Sequence, residues 1–551
     1  MRTPKGAIML LTTLLFNLQA RASGPDREVI HVRDQAAFDT LGTDIMRAYG
    51  DGKLRVDVKF SGGTYYFSEG HITLDGLDRE DFRLSFKCHG ATFIPKGRTY
   101  EMAYGSAPYE GEFSETSVFI DPDSATPVEF RTAPRQSLSD VSEAGDLFKL
   151  KASEPELPEL LSKDVYIVLS QWYGSGVHKV EKIENGYIYF SSTASLDYLT
   201  RDRYYGKKYP KYILVNVPSP GAPCVHAGRI FYSGRRIHQG EATSFLRVRN
   251  CHIGSLALSK AVFIGNAGEG PLLEFRGTSA NSIEVKESAF SGLHGRVVYC
   301  LGTSHFVFED NTVTGCYLDG VLSDGKSDGT RIIDNTFEGN GLRMTQSFDV
   351  IVRGTDFIVS GNRFSDFSYA AIGIGHHFRS DGGEVTSGVV EDNEIFLSEP
   401  FLGAPVTRTL MDSGGIYIWT MNRDVTIRRN FIHDIDGAKD NRGIFGDDGA
   451  SNVTAYGNLV LGIRNCYTLD FRRVANVETM PDSRIKRVNV GNRIYGNTVD
   501  GRIRFETRGG DDGCYKGDNI RVSSKESRRS IYRRWKRGKS QASAQTDGSE
   551  D

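Results

Sequence analysis

Phe306-Val-Phe-Glu-Asp-Asn-Thr-Val313, Arg331-Ile-Ile-Asp-Asn-Thr-Phe337 and Phe357-Ile-Val-Ser-Gly-Asn-Arg-Phe364 are copies of one pattern: a short apolar or alternating run, a break at Asp or Gly, then Asn and an apolar residue two places on. The Asn-x-apolar unit recurs at Asn311-Thr-Val313, Asn335-Thr-Phe337, Asn362-Arg-Phe364, Asn393-Glu-Ile395, Asn430-Phe-Ile432, Asn458-Leu-Val460 and Asn497-Thr-Val499. Two weaker copies precede these, at Asn250-Cys-His252 with Ile253 and at Ser288-Ala-Phe290, where Ser replaces Asn. Runs of four to eight residues that stop at Asn or Gly are strands rather than helices. The intervals between the seven Asn are 24, 27, 31, 37, 28 and 39 residues. They are too uneven for a propeller or a leucine-rich horseshoe, but natural for a coil whose turns accept insertions. The fold class expected is therefore all-β: a right-handed parallel β-helix whose coils stack about 4.8 Å apart. An Asn repeated at one corner of every coil would satisfy backbone groups there and tolerate a left-handed conformation.

The composition agrees with this expectation. Among 551 residues, 61 Gly, 31 Phe and 25 Tyr against 17 Pro suit many short strands joined by tight turns. The net charge of −3 supplies no general attraction to nucleic acid or to acidic membranes, so no nucleic-acid partner is expected. Arg2 and Lys5 precede an apolar run at residues 7–18, followed by Ala20-Arg21-Ala22; this is the pattern of an export signal over residues 1–22, with a mature chain from near Ser23. The run is too short to span a bilayer. A secreted or periplasmic, monomeric protein with no membrane span is expected. Seven cysteines without a CxxC read as small buried hydrophobes, Cys300 and Cys316 being the nearest pair in sequence.

Working outward from the repeat, residues 23–98 read as a helical cap (33–52) with a first coil, and residues 99–235 as an inserted small β-subdomain. The main solenoid should cover 236–524. Residues 525–551 form a charged tail: eight basic residues against one Glu between Lys525 and Lys539, then a polar acidic end, a composition suited to a solvated, disordered segment.

Laying the strand after each Asn over the next places DGVLSDG (319–325), GLRMTQ (341–346), AIGIGHHF (371–378), GIYIWTM (415–421), GIFGDDG (443–449) and YTLDFRR (467–473) in one column. Gly320 to Asn335, Gly415 to Asn430 and Gly443 to Asn458 each span 15 residues, so three coils keep one phase. At the fifth and sixth places stand Asp324 and Gly325, Thr345 and Gln346, Gly375 and His376, Trp419 and Thr420, Asp447 and Asp448, and Phe471 and Arg472. His376, His377, Trp419, Asp447, Asp448, Asp470 and Arg472 should then share one wall of the solenoid. Sugar faces stack on aromatic rings while hydroxyls take charged partners, and glycosidic cleavage needs two carboxyl groups, one to protonate the leaving oxygen and one to attack or to activate water. On a straight strand Asp412 would lie about 20 Å from Asp447 at about 3.3 Å per residue. Either a bend at Ser413-Gly414 folds it back or the acid pair lies within Asp447, Asp448 and Asp470, and the second arrangement is the one preferred here. His433-Asp434, just past Asn430, reads as a corner hydrogen bond.

The stretch from Asp412 to Val460, DSGGIYIWTMNRDVTIRRNFIHDIDGAKDNRGIFGDDGASNVTAYGNLV, resembles exported bacterial β-helix glycoside hydrolases of the fucosidase, xylanase and xylosidase types within the pectate-lyase-like superfamily, with their DxGGIY strand, N-x-I-H-D corner and D-[DE]-G turn. The resemblance is specific over about 50 residues, and the order of cap, insertion and solenoid extends it loosely over most of the chain. It implies a polysaccharide- or oligosaccharide-cleaving hydrolase with acidic catalysts at Asp412, Asp447 and Asp448, to which the column adds Asp470. Tyr417, His376 and His433 are the binding or assisting groups it implies. No cofactor is required, although Asp319, Asp324 and Asp328 admit calcium as readily as they make turns. Two alternatives stand beside it. A polysaccharide lyase would need a basic residue such as Lys326, Arg343, Arg379, Arg472 or Arg473 to abstract a proton beside a uronate carboxylate, and an adhesin or glycan-binding solenoid would need no catalyst.

Overall fold

The computed structural model describes residues 26–96; the strands between 97 and 240, with side chains for 142–150 and 180–190; residues 242–523 apart from 267–269, 294, 317, 342–346, 376–385, 399–411, 420–421, 436–440, 464–465, 474–485, 487 and 509–511; and residues 530–533 and 535. Three long parallel sheets of 13, 12 and 11 strands run along the molecule, each coil adding one strand to each. Phe306–Glu309, Thr312–Thr314 and Val321–Asp324 form one such coil. Arg331–Ile333, Thr336–Glu338 and Phe348–Val352 lie on it in register, with Phe308 opposite Ile332, Val313 opposite Phe337 and Val321 opposite Val350. The chain is a right-handed parallel β-helix.

Alternation of side chains along each strand sends one row inward. Ile372, Ile416, Ile444 and Leu469 occupy one such row and are wholly buried. On another wall Phe337 stacks on Phe364 with ring centroids 4.9 Å apart. Like apolar neighbours in successive coils thus fill a continuous core.

The Asn corners form one hydrogen-bonded ladder. Each side-chain amide donates to the next Asn Oδ1, at 3.1 Å from Asn311 to Asn335 and at 2.9 Å from Asn335 to Asn362, and also to a carbonyl of the preceding coil, as Asn335 does to Phe308 at 2.8 Å. The ladder continues through Asn393, Asn430, Asn458 and Asn497 and runs one coil further, to Asn519. Ser288 caps its upper end, its backbone N–H donating to Asn311 Oδ1. Two details differ from the sequence expectation. The left-handed residue is the one before each Asn, as at Asp310 (φ 54°), Asp334 (φ 53°), Asp392 (φ 58°) and Arg429 (φ 55°), while the Asn side chains are buried and bonded. Asn250 is itself left-handed (φ 52°) and bonds Asp75 instead, so it lies outside the ladder.

Residues 27–95 already contribute strands to the solenoid, beginning with Arg27–Val32 ahead of the two short helices Gln35–Asp39 and Leu41–Gly50. The helices bury Phe38, Leu41, Ile45 and Ala48, and Asp34 caps the first by accepting from the Ala37 N–H. Asp78–Lys87 pairs directly with His252–Ser259. The chain leaves and returns between these coils at an antiparallel pair, Gly97–Glu101 with Arg236–Gly240, slightly wider than the 99–235 expected for the insertion. The strands within that excursion pair antiparallel, the largest of their sheets having seven strands. The tail is corrected in part: Ile531, Tyr532 and Trp535 pack against Phe431, Leu459, Leu461 and Val522, and the Trp535 indole donates to the Gly457 carbonyl at 3.1 Å. Its aromatic ring is occupied by the solenoid wall rather than presented to a polyanion. Cys88, Cys251, Cys300, Cys316 and Cys466 are all buried.

Candidate functional site

The site lies on the outer face of the 11-stranded sheet, where the true register differs from the sequence alignment at two coils. Phe348–Val352, not GLRMTQ, follows Val321–Asp324, because Val350 and Ile351 carry the apolar alternation. Gly446 pairs with Phe471, which brings Arg472 beside Asp447 where the alignment had Phe471. The column now reads Asp324, Arg353, Gly375, Trp419, Asp447, Arg472 and Glu506. One backbone ladder joins it: Arg353 to Ser323, Gly375 to Val352, Trp419 to Ile374, Asp447 to Ile418 and Arg472 to Gly446, each an N–H to a carbonyl at 2.9–3.1 Å.

Asp412 precedes the strand Gly414–Ile418 and has φ 57°. That left-handed turn folds its carboxylate back over the strand. It accepts from Arg442 Nη1 at 2.7 Å and from Arg472 Nη2 at 3.2 Å. The same Arg472 nitrogen bonds Asp447 Oδ1, with Nε adding a second contact at 2.8 Å. Two acceptors on one nitrogen have oxygens no more than about 6 Å apart. The straight-strand separation of about 20 Å is thereby corrected: a turn at Asp412 brings Asp412 to Asp447.

Asp447 is 4% exposed. Its Oδ1 also receives the Asp448 N–H at 2.8 Å, and its Oδ2 the Tyr417 hydroxyl. Burial raises its pKa above the ordinary carboxylate value; Arg472 opposes this, while the negative charges of Asp448 and Asp412 add to it. Burial also pushes the Tyr417 hydroxyl well up, with Tyr369 and Asp447 reinforcing it, so Tyr417 acts as a neutral donor. Burial works against the Arg472 charge, but Asp447 and Asp412 outweigh it and raise its pKa, which fixes a permanent cation between the two acids.

Asp470 takes a different place. It is wholly buried, accepting from Arg442 Nε at 2.7 Å on one oxygen and from Arg504 Nε at 2.6 Å on the other. It braces the arginines rather than facing the acid pair. Phe445 underlies both cations, with Arg442 4.0 Å and Arg472 4.5 Å above its ring. Arg442, Phe445 and Arg504 escaped the sequence reading; Arg442 stood one residue before the aligned strand, and its match to Gly414 was the available signal.

Trp419 is half-buried, its ring 5.1 Å from Tyr417 and 5.0 Å from Phe348, at the edge of an apolar cluster that includes Leu322, Ile351 and Tyr369. His376, His377, Arg343 and Arg379 lie outside the described residues. His433 bonds Asp434 at 2.9 Å and Glu394 at 3.4 Å on another wall, away from the acids. Asp319, Asp324 and Asp328 have separate partners, Arg296, Arg353 and Thr355.

Residues 272–470 match a family model described as right handed beta helix region. The match and the three parallel sheets agree on a right-handed parallel β-helix. Solved β-helix structures similar to it include a glycoside hydrolase (9% identity, TM-score 0.40, 90% of this chain and 97% of that one) and XylC in complex with xylose (9%, 0.34, 91% and 87%). The periplasmic alginate epimerase AlgG is a third (11%, 0.28, 52% and 78%). At such identities the likeness is one of fold. No curated protein matches the chain.

Proposed function

We propose that this β-helix is an exported carbohydrate-active enzyme, a glycoside hydrolase that cleaves a complex polysaccharide or oligosaccharide at the Asp412–Asp447 pair. The observation that carries the proposal is the shared Arg472 nitrogen, which holds two carboxyl groups close together on the outer wall. Asp447, with its raised pKa, is the general acid that protonates the glycosidic oxygen. Asp412 is the carboxylate that attacks the anomeric carbon or activates water there. A separation of oxygens below about 6 Å suits attack and retention better than the wider gap that accommodates a water. Export is supported by the charged, apolar and small-residue order of residues 1–22.

Arg472 fits the base of a lyase poorly, because the two acidic residues that flank it hold its proton. The test is incubation with a panel of neutral and uronate glycans, reading reducing ends, ultraviolet absorbance and the anomer first formed. New reducing ends without unsaturated product, reduced about 10²–10⁴-fold by Asp447→Asn and by Asp412→Asn, are expected. Unsaturated product, or cleavage indifferent to both substitutions, overturns the proposal.

A further inference from the structure

On the side of Trp419 away from Asp447 the same column holds Gly375, Arg353 and Asp324. Strands about 4.8 Å apart put Trp419 one step, and Arg353 about three steps, from Asp447. With no side chain at Gly375 to intervene, the Arg353 guanidinium leans across to lie 5.5 Å from the centre of the Trp419 ring. Arg353 donates from Nη1 to Asp324 Oδ1 at 3.2 Å, and among the described residues Asp324 is its one hydrogen-bond acceptor. Its Nε is buried and unpaired. A guanidinium has five N–H donors, so most of its capacity is unused. The indole can pack over position 373 because that residue is glycine, where a Cβ would stand 2.9 Å from Trp419 Cζ3.

We infer that Trp419, Arg353 and Asp324 form a subsite for an uncharged sugar ring, and that the substrate is a chain of several neutral sugars laid along the solenoid axis from Asp447 across Trp419; this rests on Asp447 marking the point of cleavage. The indole supplies the stacking face. The Arg353–Asp324 pair presents a donor and an acceptor side by side, which matches two neighbouring hydroxyl groups, one accepting and one donating. A uronate carboxylate at Arg353 would sit against the carboxylate of Asp324, which is 9% exposed and within bonding distance of the same guanidinium. The repulsion selects against acidic sugars. Beyond the pair, Leu322, Ile351 and Phe348 provide an apolar floor that leads to Tyr299, another partly buried ring on the same cluster.

The test is calorimetric titration of the full chain carrying Asp447→Asn with xylohexaose, cellohexaose, mannohexaose, hexagalacturonate and hexamannuronate, each at matched ionic strength. At least one neutral hexaose should bind more tightly than both uronates. Adding Trp419→Ala should weaken it tenfold or more, Arg353→Ala about tenfold, and Trp419→Phe should restore part of the loss at unchanged melting temperature. Tighter binding of a uronate, no binding of any neutral hexaose, or indifference to both Trp419 and Arg353 overturns the inference. Reducing ends released from the same panel by the unsubstituted protein and by Trp419→Ala and Arg353→Ala alone separate the two claims: a neutral hexaose bound through Trp419 yet never cut leaves the subsite standing without the hydrolase, and cleavage that ignores Trp419 and Arg353 leaves the hydrolase without the subsite.

Discussion

Asp412 and Asp447, in successive coils, bond the same guanidinium nitrogen of Arg472. Their proximity depends on one left-handed residue, since Asp412 at φ 57° reverses a segment that would otherwise carry its carboxylate away. The electrostatics of the pair follow from burial opposed by that cation, and both can be moved separately.

The alkaline limb of the activity profile should belong to Asp447, because a general acid must be protonated to act and its pKa is raised chiefly by burial. Activity falls as pH rises through that value. Asp448 adds a like charge that raises it further, so Asp448→Asn should move the limb to lower pH. A kcat/KM profile against pH measures this, and a limb that stays in place or moves upward contradicts the assignment.

Removing Arg472 leaves two carboxylates facing each other with their common cation gone. Arg472→Met should abolish cleavage and lower stability by about 3–5 kcal/mol, the cost of breaking an enclosed ion pair. Combined with Asp447→Asn, the loss should be less than additive because the substitutions share one interaction. Arg472→Lys keeps the charge but not the forked geometry, and should recover stability more than activity. Urea unfolding of the unsubstituted protein, the three single variants and the double variant decides it; strict additivity would show that the bridge is incidental.

Gly373→Ala should disturb the indole platform without touching a polar group. The added Cβ would stand 2.8 Å from Phe348 Cδ1 and 2.9 Å from Trp419 Cζ3. Crowding of this kind costs about 1–3 kcal/mol, and binding of a neutral oligosaccharide should weaken with it. Gly325→Ala, where nothing lies within 4 Å, is the control and should change neither. Equal affinities for the two variants would separate Trp419 from sugar binding.

The coil and its corner were legible because they repeat: Asn311 to Asn497 recur at every turn, and a buried polar residue that returns two places before an apolar one, coil after coil, marks a stacked corner. Phase was legible wherever 15 residues separated Gly and Asn, and was lost where loops intervene. GLRMTQ was aligned on its glycine, although Phe348–Val352 has the better strand pattern, and this concealed Arg353. The separation of Asp412 from Asp447 was misjudged for a different reason. Ser413-Gly414 offered a bend, but the left-handed turn falls on Asp412 itself, a residue with a side chain, and nothing in its own identity announces that conformation. Asp470 was correctly placed on the wall but could not be told from a catalyst, because its partners Arg442 and Arg504 come from neighbouring coils. Its burial is a property of the stack rather than of the strand.

Asn393 tests whether the corner ladder bears the stability of the solenoid. Its amide donates to the Val359 carbonyl and to Asn430 Oδ1, both at 2.9 Å, and its own Oδ1 accepts the Asn362 N–H and side-chain amide, both at 3.0 Å. Asn393→Ala strands a buried carbonyl and a buried N–H, and each such group costs about 1–3 kcal/mol. Asn393→Ser keeps an acceptor, as Ser288 does at the upper end of the ladder, where its hydroxyl takes the Ala261 N–H at 3.1 Å. The shorter side chain cannot span both neighbours, so the serine variant should fall between the other two. Melting temperatures are therefore expected in the order Asn, Ser, Ala, with the Ala variant lowest. A serine variant no better than alanine would show that reach, and not acceptor chemistry, sets the contribution of the corner. An alanine variant equal to the unsubstituted protein would show that the apolar core holds the coils together without the ladder.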